Sequence, residues 1–311
     1  MIIDLPDTTV SQVAKQLVKV REEGGAVALG RVLTLVISAR NGVAEAAIDA
    51  ANDASREHPM RVIVLTTGEG EPRLDAQIRV GGDAGASDVV VLRAYGEAAS
   101  NQESLVTGLL LPDAPVVAWW PEQAPTDPAS SPIGRIAQRR ITDAATSPDV
   151  RDRLALLGRT HAPGDTDLAW TRLTHWREQL AAVLDQPPYE SVTAVEVRGS
   201  ATSPSTALLA GWLRLALRVP VRWSFEDLGE WKDGIKSVRL TRASGDILLE
   251  RHSPDLAVLT QPGQPDHELH LPRRTLRECL AEELRRLDPD VLYGRVITEG
   301  WEQVSPTESV G

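Results

Sequence analysis

Six histidines and a single cysteine are the side chains from which metal binding or covalent catalysis would most readily be built: His58, His161, His175, His252, His267, His270 and Cys279. Their spacing builds neither. No pair has the HExxH arrangement of a helical zinc site, and His267 with His270 would need carboxylate or sulfur partners that the spacing does not nominate. Surface or hydrogen-bonded histidines are the expectation. Cys279 stands three positions after Leu276, on the apolar stripe of a helical pattern, where burial raises a thiol pKa and lowers its reactivity. No GxSxG nucleophile elbow is present. The acid pairs Asp165/Asp167 and Asp288/Asp290 read as helix caps and solvated turns. The glycine-rich "RVGGDAGASD", Arg79 to Asp88, follows a strand pattern and could cradle a phosphate through backbone N–H groups. It is not GxGxxG, lacks the Lys-Ser/Thr of a P-loop, and leads into another strand, so a plain loop is expected. No catalytic residue, cofactor or metal is therefore expected.

Composition narrows the class further. The 311 residues are enough for two ordinary domains, and 42% hydrophobic with 25% charged residues is the balance of a folded chain. The formal net charge of −11 argues against a nucleic-acid partner, because phosphate binding needs a basic field to release counterions. A lone cysteine fits a reducing compartment. The start "MIIDLPDTTV" has no basic region followed by a long apolar core, and no run approaches the roughly 20 apolar residues of a membrane helix. A cytoplasmic protein away from membranes is expected.

The elements that must position any site repeat one plan. Thr8 to Glu22 reads as an amphipathic helix, "RVLTLVIS" as a buried strand, "NGVAEAAIDAANDASREH" as a helix and "RVIVLTT" as the next strand, which is a parallel crossover. "LDAQIRV" and "DVVVLRAYG" follow as strands with no helix between them. A short helix at Ser104 to Leu111 leads into the strand "APVVAWW". The second half starts with "GDTDLAWTRLTHWREQLAAVLDQ", where Ala169, Leu173, Trp176, Leu180 and Leu184 recur at helical spacing and Asp165 or Asp167 can cap. "SVTAVEVRGS" is a strand, and "SPSTALLAGWLRLALR" a helix with Ser203 as cap and Pro204 in the first turn. "VPVRWSFE", "IKSVRLTRAS" and "DILLERHS" are strands, and "RRTLRECLAEELRRLDPD" closes as a helix. The expected fold is α/β, with two similar helix-strand-helix-strand-strand-strand domains that admit an internal duplication. The expected spans are 1–132, a junction at 133–165, a second domain at 166–293 and a tail at 294–311.

"LPDAPVVAWWPEQAPTDP" stands out within that plan. Neighbouring strand residues point to opposite faces, so Trp119 and Trp120 cannot enter the same core layer, and the prolines that follow exclude regular structure. One tryptophan is expected to complete the first core and the other to close a domain junction or a partner surface.

These segments carry a resemblance. "IDLPDTT", "REEGGAVALGRVLTLVI", "AANDASREHP", "RLDAQIRVGGDAGASDVVVLR", "LLLPDAPVVAWWP", "RRITDA", "PGDTDLAWTRLT", "LDQPPYE", "SPSTALLAGWL" and "QPGQPD…LPRR…CLAEELRRLDPD" together resemble OpcA, the glucose-6-phosphate dehydrogenase assembly protein family, in its actinobacterial form, from Ile3 to about Tyr293. The resemblance implies a non-enzymatic partner of glucose-6-phosphate dehydrogenase that promotes its assembly or activates it allosterically in the oxidative pentose phosphate pathway. It supplies no catalytic residues. In cyanobacterial relatives cysteine chemistry is held to tune this role, whereas Cys279 alone cannot form an internal disulfide. An activator acts through its differential affinity for two states of its target, and about 1.4 kcal/mol gives a tenfold shift. Aromatic anchors with flanking arginines supply such energies. The partner-binding candidates are Trp119, Trp120 and Pro121, then Arg139, Arg140 and Asp143 of "RRITDA", then Asp167, Trp170 and Arg172 of "DTDLAWTR". The competing expectation is that these residues pack within the chain. Two other classes stay open: a module sensing a sugar phosphate or nucleotide at "GGDAGAS", and an enzyme whose site has no recognised motif.

Overall fold

Runs such as "RVIVLTT", whose centre Val62 to Leu65 is apolar without a break, must be covered on both faces, which a sheet achieves only as the middle layer of an α/β stack. The computed structural model describes residues 1–23, 32–39, 44–80, 88–200, 202–225, 234–301 and 306–307. Along the chain the elements are β1 (Ile2–Leu5), α1 (Val10–Glu23), β2 (Leu33–Ala39), α2 (Ala44–Ala54), β3 (Met60–Gly68), β4 (Arg73–Arg79), β5 (Asp88–Tyr95), α3 (Gln102–Thr107), β6 (Val116–Trp119), α4 (Pro132–Arg135) and β7 (Arg139–Thr142). They continue with α5 (Val150–Thr160), β8 (Asp165–Asp167), α6 (Leu168–Thr171), α7 (Thr174–Leu184), β9 (Ala194–Gly199), α8 (Pro204–Leu217), β10 (Val221–Phe225), β11 (Ile235–Thr241), β12 (Ile247–Arg251), β13 (Leu256–Thr260) and β14 (His267–His270). The last are α9 (Leu276–Arg285), α10 (Val291–Arg295), a π-helical turn at Val296–Gly300, and β15 (Pro306–Thr307). None of the described helices is long and apolar enough to cross a membrane.

The chain forms two compact units. The first takes Met1–Thr146, Gly164–Thr166 and Leu276–Pro289; the second takes Ser147–Pro163, Asp167–Thr275 and Asp290–Gly311.

The sheet of the first unit runs β1-β4-β5-β3-β2-β6-β7-β8. Its centre is parallel, β5-β3-β2-β6-β7, with β4 and β1 added antiparallel at one side. Alternate residues build one core: Val36, Ile63, Leu65, Val90, Leu92, Ala118 and Trp120 meet Val13 and Leu17 of α1, Leu105 and Val106 of α3, and Ile133 of α4. Side chains of the opposite parity face α2 and α9, which pack on each other. Two ion pairs mark that face, Arg79 of β4 with Glu45 of α2 and Arg139 of β7 with Glu283 of α9. The proline-rich stretch after β6 is an ordered loop. Ser131 Oγ donates to the Pro128 carbonyl at 2.7 Å and accepts from Gly134 N at 3.0 Å, capping α4, and Asp127 Oδ1 accepts from Ser130 N at 3.0 Å. Gly134 is required there, since a Cβ would stand 1.7 Å from the Pro128 carbonyl oxygen.

The sheet of the second unit runs β14-β13-β12-β11-β9-β10-β15. β9, β10 and β15 are parallel and the others antiparallel. α8 is buried along most of its length and lies against β9, β10 and the π-helical turn. There Gly211 allows the closest approach, since a Cβ would meet Trp301 N at 2.9 Å.

The expected α/β class holds, and the order helix, strand, helix, strand, strand, strand occurs twice, as α1-β2-α2-β3-β4-β5 and as α7-β9-α8-β10-β11-β12. The two copies are wired differently. In the first, the last two strands join the sheet beside β3, the second strand of the crossover; in the second, they join beside β9, the first strand. Three local expectations need correction. The stretch from Asp165 is not one helix but β8, α6 and α7, because Asp167 Oδ1 accepts from Ala169 N at 2.8 Å and starts a new helix after the strand. Asp165 is not a cap, since its carboxylate accepts from Arg140. Ser203 occupies the N-cap position of α8 without a capping hydrogen bond from its side chain.

Candidate functional site

The two segments "RRITDA" and "DTDLAWTR" hold most of the candidate residues: the first, with Asp165 and Thr166 of the second, builds a buried polar cluster in the first unit, and Asp167 to Arg172 belong to a cluster in the second. In the first unit Arg139 and Arg140 are neighbours on β7, so their side chains leave opposite faces. Arg139 Nη2 donates to Glu283 Oε2 and Nη1 donates to the Asp288 carbonyl at 2.7 Å. Glu283 Oε1 also accepts from Thr166 Oγ1 at 3.3 Å. Arg140 Nε donates to Asp165 Oδ1, its Nη1 to the Ala137 carbonyl at 2.9 Å, and its backbone N–H to the Gly164 carbonyl at 2.9 Å. Asp143 Oδ1 accepts from Ala145 N at 3.2 Å, and Thr146 Oγ1 ties the same turn to the Glu122 carbonyl at 3.0 Å. Charges this deeply buried persist only when paired and further hydrogen-bonded, as both arginines are.

Trp119 and Trp120 end β6 pointing to opposite faces. Trp120 joins the core beneath α1, α3 and α4, and Trp119 is fully buried on the other side. The indole Nε1 of Trp119 has no hydrogen-bond partner among the described residues. Pro121 is buried beside them.

In the second unit Asp167 caps α6, Trp170 Nε1 donates to Asp290 Oδ2 at 2.8 Å, and Asp290 Oδ1 caps α10 through Tyr293 N at 2.9 Å. The guanidinium of Arg177 stands 3.9 Å from the centroid of the Trp170 ring, and the Tyr293 ring lies 6.1 Å away. Burial lowers the Arg153 pKa from its ordinary value, against a smaller upward pull from Asp167 and Tyr293. Arg172 is half-buried, whereas Trp119, Trp120, Pro121, Arg139, Arg140, Asp143, Asp167 and Trp170 are buried. Eight of the nine candidates are thus covered in the folded chain, and Arg172 is partly open to solvent.

Sequence reasoning missed Glu283, Asp165 and Asp290 as the partners of these residues. The available signal was Glu283 itself, an acid four positions after Cys279 and within the buried face of α9. Cys279 is buried, as expected. The stretch "GGDAGAS" lies outside the described residues. Among the described residues no group of three or more His, Cys, Asp or Glu side chains is placed to hold a metal ion.

Two family models match the sequence, both described as parts of a glucose-6-phosphate dehydrogenase subunit: its N-terminal domain over residues 51–159 and its C-terminal domain over residues 163–297. No curated protein matches. Among solved structures, glucose-6-phosphate 1-dehydrogenase from Mycobacterium avium is similar with a TM-score of 0.41 and 11% identity, over 89% of this chain and 94% of that one. Myo-inositol 2-dehydrogenase from Lactobacillus plantarum is similar with a TM-score of 0.39 and 6% identity, over 86% and 93%. The two family models together span most of the sequence, including both "RRITDA" and "DTDLAWTR", and the chain belongs to the OpcA family of glucose-6-phosphate dehydrogenase assembly proteins.

Proposed function

We propose that this chain is a non-catalytic accessory protein of the cytoplasm that binds glucose-6-phosphate dehydrogenase and promotes its assembly or activates it allosterically. The observation that carries this reading is the pair of family models, both described as parts of a dehydrogenase subunit, matched in sequence order along one chain. The buried clusters agree with it. Each carboxylate described above already accepts from an arginine, a backbone N–H, a hydroxyl or an indole, which is how a rigid scaffold is specified. In this reading the nine candidate residues act mainly by fixing the shape of what lies above them, with Arg172 the member that also offers surface.

Activation requires tighter binding to the active form of the dehydrogenase than to the inactive one, and its size is limited by that difference. The test is the rate of the matching dehydrogenase across substrate concentration at increasing ratios of this protein, with co-elution of the two measured in parallel. A saturable change in kinetics with co-elution is expected, and sedimentation of the dehydrogenase at each ratio separates assembly from allostery. Unchanged kinetics at every ratio together with separate elution would overturn the reading.

A further inference from the structure

We propose that the second unit carries a binding site for a phosphorylated small molecule, in an arginine-lined cleft at the C-terminal end of α8. The cleft has a volume of about 690 Å³, within the range of small-ligand sites, and its charged lining is Arg214, Arg218, Arg222, Arg295 and Glu299. Four guanidinium groups against one carboxylate make it a positive spot on a chain whose formal net charge is −11.

Local structure explains only part of this charge. Arginines in the last turn of a helix favour its negative end, which accounts for Arg214 and Arg218 on α8. That account extends to Arg295, the last residue of α10, but not to Arg222 on β10, and the fold delivers all four to the same cleft from three separate elements. Arg218, Arg222 and Arg295 are exposed, and none has an ion pair with any described residue. Some surface arginines of this acidic chain find acids, as Arg239 does with Asp246 and Arg285 with Glu57, and others, such as Arg151 and Arg286, have no ion pair with a described residue, so the convergence of four on one cleft is what marks the site.

Arg218 adds a second indication. It is the C-cap of α8 with φ 57 and ψ 37, a left-handed backbone where glycine is the usual residue and any side chain is disfavoured. The strained position keeps a long cation at the rim of the cleft. Guanidinium groups match phosphate oxygens in paired N–H···O geometry, which makes a dianionic phosphate the fitting ligand. Leu215, Val219 and Pro220 supply an apolar part of the wall against which the remainder of a phosphate ester can lie. Glu299 is placed to accept from hydroxyl groups of that remainder and disfavours a ligand that is anionic throughout.

Calorimetric titration of the full chain with inorganic phosphate, AMP and glucose 6-phosphate tests this. At least one ester is expected to bind more tightly than inorganic phosphate, and the affinity is expected to fall as sodium chloride rises. The double variant Arg222→Ser/Arg295→Ser, changed only at exposed positions, is expected to bind that ester at least about tenfold more weakly with its melting temperature nearly unchanged. Arg56→Ser/Arg285→Ser removes the same charge from the first unit and is expected to bind like the parent. No binding at about 10 mM, where even millimolar sites fill, would overturn the site. So would an ester that binds no better than inorganic phosphate, or equal weakening in both double variants.

Discussion

Arg139 and Glu283, 144 positions apart in sequence, form a single ion pair whose side chains are 4% and 5% exposed. It joins β7 to α9 within the first unit and is extended by the Asp288 carbonyl and the Thr166 hydroxyl. Burying both charges costs several kcal/mol each, so the pair is a device of register more than a net gain, and its stakes appear when one partner is removed. Glu283→Ala leaves a buried arginine unpaired and is expected to lower the stability of the first unit by about 3–5 kcal/mol. The double variant Arg139→Met/Glu283→Leu is expected to regain most of that loss. Urea unfolding of the three proteins checks it, and a double variant no better than Glu283→Ala would remove charge burial as the cause.

The indoles allow a cleaner comparison. Trp119 and Trp170 are both fully buried, but Trp170 Nε1 donates to Asp290 whereas Trp119 Nε1 has no described partner. Replacement by phenylalanine removes similar bulk at each site. Trp170→Phe is therefore expected to cost about 1.5–3 kcal/mol more than Trp119→Phe, the worth of a hydrogen bond to a charged group. Trp120→Ala should cost about 3–5 kcal/mol through the cavity it leaves. Any loss of dehydrogenase activation in that variant should follow the folded fraction, measured by circular dichroism on the same samples. Equal losses for the two phenylalanine variants would mean that the Asp290 contact contributes nothing.

The strands of the parallel sheet were legible because a run buried on both faces leaves an unbroken apolar signature, as "RVIVLTT" does for β3. The helix expected from Asp165 was misread because Ala169, Leu173, Trp176, Leu180 and Leu184 keep helical spacing across the break between α6 and α7, and a cap at Asp167 looks the same whether a strand or a coil precedes it. β13 and β14 went unseen. β14 is "HELH", mostly exposed, so no alternation marks it. The clusters were half legible. Type and proximity flagged Arg139, Arg140, Asp167 and Trp170, but their partners Glu283 and Asp290 come from the distant end of the sequence, and pairings of that range leave no local pattern. The same holds for the arginines of the α8 cleft, which are scattered from 214 to 295 and meet only through the fold.

Cys279 is fully buried on α9, so its thiol is reached only when that helix opens. Modification by a disulfide reagent should be slow in the native protein and rapid in denaturant, because only an exposed thiolate reacts. Added oxidant should leave dehydrogenase activation unchanged over the time in which the native thiol stays unlabelled. Rapid stoichiometric labelling of the folded protein would contradict the burial and reopen a redox role.

Arg79 and Glu45 form the clearest pH-dependent contact of the first unit. Arg79 Nη1 and Nη2 donate to the two carboxylate oxygens at 2.8 and 2.7 Å, tying β4 to the first turn of α2. The hydrogen bond from Arg79 is the main cause that holds the Glu45 carboxyl below its ordinary value of 4.5, against a smaller upward push from burial. With the folded value depressed, the unfolded chain takes up the proton first as pH falls. The contribution is therefore fully present above the ordinary value and is lost as pH falls through the depressed one. Glu45 is 63% exposed, so screening keeps the pair below about 1 kcal/mol. Glu45→Gln is expected to lower the melting temperature at neutral pH by about 1–2 °C. That gap should begin to close below pH 4.5, vanish once Glu45 is protonated in the folded chain, and narrow at about 1 M salt. A gap that stays constant through the acid range would assign the loss to packing at the start of α2 rather than to charge.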